Sequence, residues 1–120
     1  MAGEVAFFEL GVEAVERGRV FYEGLFGWRF ETGPSGEGFA IGAGPVPGGM
    51  HGGDKGAAPY LFFRVDDMEA AVERVRELGG MVEETNVEGD EESVARWGRF
   101  KLCREDQGSP FGLHQPPTGS

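Results

Sequence analysis

The chain has 120 residues, 39% of them hydrophobic and 27% charged, the make-up of one globular domain with its own core. Its 21 acidic against 11 basic residues give a formal charge of -10, which argues against a nucleic-acid or anionic-membrane partner, since both need a basic surface. Cys103 is the only cysteine, so no intrachain disulfide can form. No apolar run reaches the length of a membrane span, and the start lacks the basic-then-apolar plan of a secretory signal, so a cytoplasmic protein is expected.

Residues 5–10 are apolar apart from Glu9 and read as a strand covered on at least one face. Alternation puts Ala6, Phe8 and Leu10 on one side and Val5, Phe7 and Glu9 on the other. The helix that follows must pack on the first set, so the second, with a carboxylate among apolar neighbours, is expected to point into a cleft. That helix is predicted over 13–26, with Val12, Val15, Arg19, Tyr22 and Phe26 at helical spacing and Leu25 widening the stripe. Gly18 and Gly24 each weaken it by about 1 kcal/mol relative to Ala. Gly27 is the expected left-handed cap. Two strands follow, at 28–32 and 39–41, joined by a turn at 33–36.

Between residues 42 and 59 the composition turns to glycine, proline and alanine, with Met50, His51, Asp54 and Lys55 embedded. This reads as a linker that holds a short strand near Gly48 to His51. A second strand–helix pair opens at Tyr60. Tyr60, Phe62 and Arg64 lie opposite Leu61, Phe63 and Val65, and Asp66 is the expected N-cap, with Glu69 three residues on. Met68, Ala71, Val72, Val75 and Leu78 make the expected buried stripe, and Gly79 and Gly80 stop the helix. Strands are predicted at 81–85, 98–104 and 110–115, with an acidic loop at 88–93 and a frayed tail at 116–120.

The second pair repeats the first at a constant offset. Phe7 matches Tyr60, Val12 matches Val65, Glu16 matches Glu69 and Leu25 matches Leu78. Each half reads strand, helix, three strands, over about 1–53 and 58–116, so the fold class is α+β and a site is expected between the copies.

Phe21-Tyr22 followed by Leu25-Phe26-Gly27-Trp28 resembles the end of the first helix in the vicinal oxygen chelate superfamily of glyoxalases, bleomycin-resistance proteins and extradiol dioxygenases. Val65-Asp66-Asp67 with Leu78-Gly79-Gly80 is similar to its second-half signature. Glu105-Asp106-Gln107-Gly108 leading into Phe111-Gly112-Leu113-His114-Gln115 is similar to its ending. The resemblance implies two βαβββ modules whose eight strands form an open, incomplete barrel around a cleft, with the helices outside, and a homodimer. Enzymes of that family usually hold one divalent metal with four His or Glu side chains. The resemblance carries those positions onto Phe7, a residue near Gly49 for which His51 could substitute, Tyr60 and Gly112. Phenylalanine and glycine cannot ligate and tyrosine seldom does, so no cofactor is expected.

Alternation alone assigns Phe7, Glu9, Tyr60, Phe62, Arg64, Gly112 and His114 to the faces opposite the helices. Aromatic walls with a few polar groups suit a small-molecule ligand; the other reading is that these rings fill a narrow barrel. Phe7, Tyr60, Phe62, Arg64, His51 and Trp97 are the expected ligand contacts. Glu9 is the candidate general base, or else an ion-pair partner of Arg64 or Lys101. His114 is a candidate acid/base, or else an exposed residue near the terminus. A divalent metal held by His51, His114 and Glu9 is the alternative to a metal-free site. Cys103 reads as a small core residue, and Trp97 as a lid, a dimer contact or packing. The function expected is metal-free binding of a small, largely apolar or aromatic molecule. The alternative is a glyoxalase- or dioxygenase-related enzyme that uses a displaced metal or Glu9 as base.

Overall fold

The computed structural model of the chain describes residues 2–32, 37–84, 87 and 90–117. The turn expected at 33–36, the end of the strand expected at Thr85, Glu88 and Gly89 of the acidic loop, and Thr118 to Ser120 of the tail lie outside the described residues. In chain order the elements are β1 (Val5–Gly11), α1 (Val15–Phe26), β2 (Arg29–Thr32), β3 (Phe39–Gly42), β4 (Pro47–His51), β5 (Tyr60–Arg64), α2 (Met68–Glu77), β6 (Met81–Val82), α3 (Glu91–Trp97), β7 (Arg99–Arg104) and β8 (Pro110–Gln115). The chain divides into two compact units, Phe7–Tyr60 and Met1–Ala6 with Leu61–Ser120.

The two units share one strand plan. In the first, the order is β2-β3-β4-β1, with β1 parallel to β4 and the other pairs antiparallel. In the second, it is β6-β7-β8-β5, with β5 parallel to β8 and the other pairs antiparallel. A parallel pair cannot be closed by a hairpin, so each unit needs a crossover between its first and last strand, and the helix and intervening strands supply it. The α+β class and the repeated βαβββ plan are both present, with α3 added in the second unit.

That extra helix corrects the loop expected at 88–93. Asp90 caps it, its side chain accepting the Ser93 N–H at 2.9 Å, and Glu91 and Glu92 stand in the first turn, where the helix dipole favours acids. The acidic run is therefore the helix start. The cap of α2 also differs from expectation: Asp67, not Asp66, accepts the Ala70 N–H at 3.2 Å. Sheet pairing holds the backbone one residue longer, because the Val65 N–H donates to the His114 carbonyl at 2.9 Å, and Asp66 pairs instead with Arg64 at 3.4 Å.

In the second unit α2 lays Met68, Ala71, Val72 and Val75 against Val82, Cys103, Leu113 and Phe111. In the first unit Ile41 and Met50 are the buried side chains among the described residues, and α1 comes close to Met50 at Gly18, where a Cβ would stand 2.9 Å from the sulfur. Trp28 stacks on Tyr22 and Phe26, with Phe8 tilted against it. Gly27 takes the left-handed cap at φ 73°. Leu25 and Leu78, both expected on buried stripes, are more than half exposed. Leu25 stands in the last turn of α1, and Leu78 is the C-cap that follows α2. Phe26 lies on the stripe but at the last turn, with one face on Trp28 and most of the rest in solvent.

The two helical glycines of α1 separate backbone cost from packing. Nothing lies within 4 Å of a Cβ at Gly24, so Gly24→Ala should stabilise the protein by up to about 1 kcal/mol. Gly18→Ala should lose that gain to the Met50 contact. Chemical denaturation of both variants checks this; equal stabilisation would mean that α1 does not pack on β4 as described.

Candidate functional site

The register of β1 on β4 builds the site. Glu9 pairs with Gly49 and Gly11 with His51, so all four lie on one face of the first unit's sheet, opposite Met50 and Phe8. Gly49 leaves room for the Glu9 side chain, since a Cβ there would meet Glu9 Oε1 at 2.5 Å and Phe7 Cζ at 3.4 Å. Beyond β4 the chain doubles back on the end of β1. The Val12 N–H donates to the His51 carbonyl and the Asp54 N–H to the Val12 carbonyl, each at 2.9 Å. Asp54 is thereby delivered to His51.

The result is a chain of three titratable groups. His51 Nδ1 lies 2.7 Å from Glu9 Oε2, and His51 Nε2 lies 2.8 Å from Asp54 Oδ2. Carboxylate oxygens only accept hydrogen bonds, so both contacts hold together when both ring nitrogens carry a proton, that is, when His51 is an imidazolium. Burial opposes that charge, but the hydrogen bonds to Asp54 and Glu9 outweigh it and raise the His51 pKa above its ordinary value. Glu9 is about a quarter exposed against about half for the other two. Its burial raises its pKa, and the bond from His51 only partly offsets the rise. The ring thus gives one N–H to a partly desolvated carboxylate and the other to an open one.

The second unit answers with the same places and different chemistry. Phe62 pairs with Gly112 and Arg64 with His114, which are the counterparts of Glu9 with Gly49 and Gly11 with His51. The Phe62 ring lies over Gly112, where a Cβ would be 2.2 Å from its edge. His114, expected as an acid/base or an exposed residue, is 5% exposed and stacks on Phe100 at 4.4 Å. Its Nε2 lies 2.8 Å from the Trp97 carbonyl, which can only accept, so this nitrogen carries the proton. Burial lowers the His114 pKa, against the pull of the Trp97 carbonyl. The chain's two histidines thus occupy equivalent positions, one charged and open, the other neutral and packed.

The structure brings Glu9 and His51 together and adds Asp54, to which the sequence reading gave no role. Phe7 stands beside them at Gly49. In the second unit Phe62 and His114 pack on Phe100, which the sequence reading passed over, and the Trp97 carbonyl holds His114. Arg64 pairs with Glu4 at 3.5 Å and Asp66 at 3.4 Å, within that unit, and Glu9 bonds to His51 in place of the Arg64 or Lys101 expected. Tyr60 is half-buried at the start of β5. Trp97 ends α3, partly buried, with the Arg96 guanidinium 4.8 Å over its ring. Cys103 is fully buried and its thiol is pushed up to about 11, mainly by burial, so it is not a nucleophile. A groove of about 330 Å³ in the second unit follows the seam between α2 and the sheet, over Met68 and Val82, and an Arg99–Glu69 ion pair of 3.6 Å crosses it.

The residues at the implied metal positions do not fit a metal. Phe7 and Gly112 offer no donor, Gly49 has its space filled by Glu9, and both nitrogens of His51 are spent on carboxylates that lie on opposite edges of the ring. Among the described residues no group of three or more His, Cys, Asp or Glu side chains could hold a metal ion.

No family model and no curated protein matches the sequence. Solved structures do. A hypothetical protein from Bacillus halodurans matches with a TM-score of 0.68 at 12% identity, over 98% of this chain and 97% of the other. Methylmalonyl-CoA epimerase from Mycobacterium tuberculosis matches with a TM-score of 0.65 at 16% identity, over 94% of this chain and 87% of the other. The 2,2',3-trihydroxybiphenyl 1,2-dioxygenase of Sphingomonas wittichii matches with a TM-score of 0.56 at 20% identity; all of this chain is covered but only 43% of the dioxygenase. Identities this low speak to fold alone: the chain has the vicinal oxygen chelate fold shared by the epimerase and the dioxygenase.

Proposed function

We propose that the chain acts on a small, largely apolar or aromatic molecule by metal-independent proton transfer. Glu9 is the general base, and His51 with Asp54 is the proton reserve behind it. The observation that carries this reading is the 2.7 Å contact between Glu9 and His51, itself tied at 2.8 Å to Asp54. A base needs a pKa lifted towards the working pH and a geometry that leaves the carboxylate within reach. Glu9 has its pKa raised by burial, keeps about a quarter of its side chain exposed, and has Phe7 as a nearby apolar wall. The formal charge of -10 and the second carboxylate set the site against an anionic substrate. An epimerase among proteins of the same fold is consistent with proton-transfer chemistry, as an analogy of fold.

A second reading is sequestration without turnover, as in the bleomycin-resistance branch that the sequence resembles. Phe7 supports it, since a ring beside a partly exposed carboxylate can hold an aromatic compound without any reaction.

The test uses small aryl ketones and aldehydes with an acidic C–H, incubated with protein in deuterated water and followed by NMR, with thermal shift as the measure of binding. Wild type should speed exchange, and Glu9→Gln should lose it by about 10²- to 10⁴-fold while still binding. Glu9 must be ionised to accept a proton, and its pKa is raised, so exchange should rise with pH through a midpoint above 4.5. Exchange unchanged in Glu9→Gln would overturn the base. Binding by wild type without any exchange would favour sequestration.

A further inference from the structure

We infer that Gly11 is a positioning residue: by carrying no side chain it leaves the volume in which Asp54 meets His51. The inference rests on the acid–base reading, because it concerns how that same site is held. Gly11 ends β1 and is absent from the glycines with positive φ, so its backbone does not require glycine. Space does. A Cβ at Gly11 would stand 2.7 Å from Asp54 Oδ2, 2.9 Å from His51 Nε2 and 3.0 Å from Ala57 Cβ. Glycine within a strand often marks such a close approach.

The surroundings cannot yield easily to an added methyl. Three backbone hydrogen bonds of 2.9 Å pin the loop to the end of β1: Val12 N–H to the His51 carbonyl, Asp54 N–H to the Val12 carbonyl, and Gly53 N–H to the Glu13 carbonyl. The movable parts are the Asp54 carboxylate and the His51 ring, whose charged neighbours are Glu9 from β1 and Asp54 from the loop.

The repeat isolates this glycine from the other. Gly49 has a glycine counterpart, Gly112, so a small residue there belongs to both units. The counterpart of Gly11 is Arg64, and in that unit the equivalent histidine bonds through Nε2 to the Trp97 carbonyl. Gly11 against Arg64, with Glu9 against Phe62, is where the unit with the carboxylate–imidazole chain departs from the other.

The experiment follows the ring signals of His51 and His114 by NMR against pH in the full chain, for wild type, Gly11→Ala, Asp54→Ala and the double variant. In wild type His51 should titrate above 6.5 and His114 below it. Gly11→Ala and Asp54→Ala should each lower the His51 midpoint by about one pH unit, the usual effect of losing a nearby opposite charge. The double variant should fall no lower than Asp54→Ala alone, because both act through one contact. His114, held below 6.5 in every variant, reports that the fold is intact. If Gly11→Ala does not fold, Gly11→Ala with Ala57→Gly, which removes the third contact, takes its place. An unchanged His51 midpoint in the folded Gly11 variant, or an additive drop in the double variant, would overturn the inference. Failure of the acid–base reading shows separately, as unchanged exchange in Glu9→Gln, which this titration does not use.

Discussion

The parallel pairing of β1 with β4 is the constraint on which the site depends. It sets Glu9 against Gly49 and Gly11 against His51, and a slip of one residue would put Glu9 and His51 on opposite faces of the sheet. The pairing is possible because the chain leaves β1 through α1 and returns only after two further strands, so the crossover that closes the sheet also brings His51 back beside Glu9. The fold does not merely carry the three groups. Its register is what makes them neighbours.

The same architecture made twice acts as an internal control. Each unit lays a side chain from its first strand over a glycine of its last, and each places a histidine two residues beyond that glycine. One unit lays down a carboxylate and answers it with an open imidazole. The other lays down Phe62 and buries the imidazole against Phe100. The second outcome is a small aromatic core in which a charge would be costly, and the Trp97 carbonyl accepts the hydrogen bond from the ring's Nε2. A single backbone plan thus yields a polar site in one half and apolar packing in the other, and the difference lies in a few side chains.

Much of this was legible in the sequence, because periodicity reports which face a strand residue takes. The repeat, nearly every strand, both long helices and the faces of Phe7, Glu9, Phe62 and His114 follow from alternation and helical spacing. What escaped depended on contacts distant in sequence. The short strand near Gly48 to His51 was expected and is β4, but its pairing with β1 and the turn that brings Asp54 onto His51 are not visible in a glycine-rich stretch. The acidic run before Trp97 reads as a solvated loop, until Asp90 is seen to cap a helix. The burial of His114 was hidden for the same reason, since its stacking partner comes from the neighbouring strand β7.

The central claim is that His51 is held as an imidazolium between two carboxylates. The most direct measurement is the pair of ring ¹⁵N shifts of each histidine in labelled wild-type protein at pH 6.5. The account predicts that both nitrogens of His51 report as protonated, while His114 shows one protonated nitrogen and one bare. A neutral His51 with a single protonated nitrogen at that pH would contradict it, since one of the two carboxylates would then have nothing to accept.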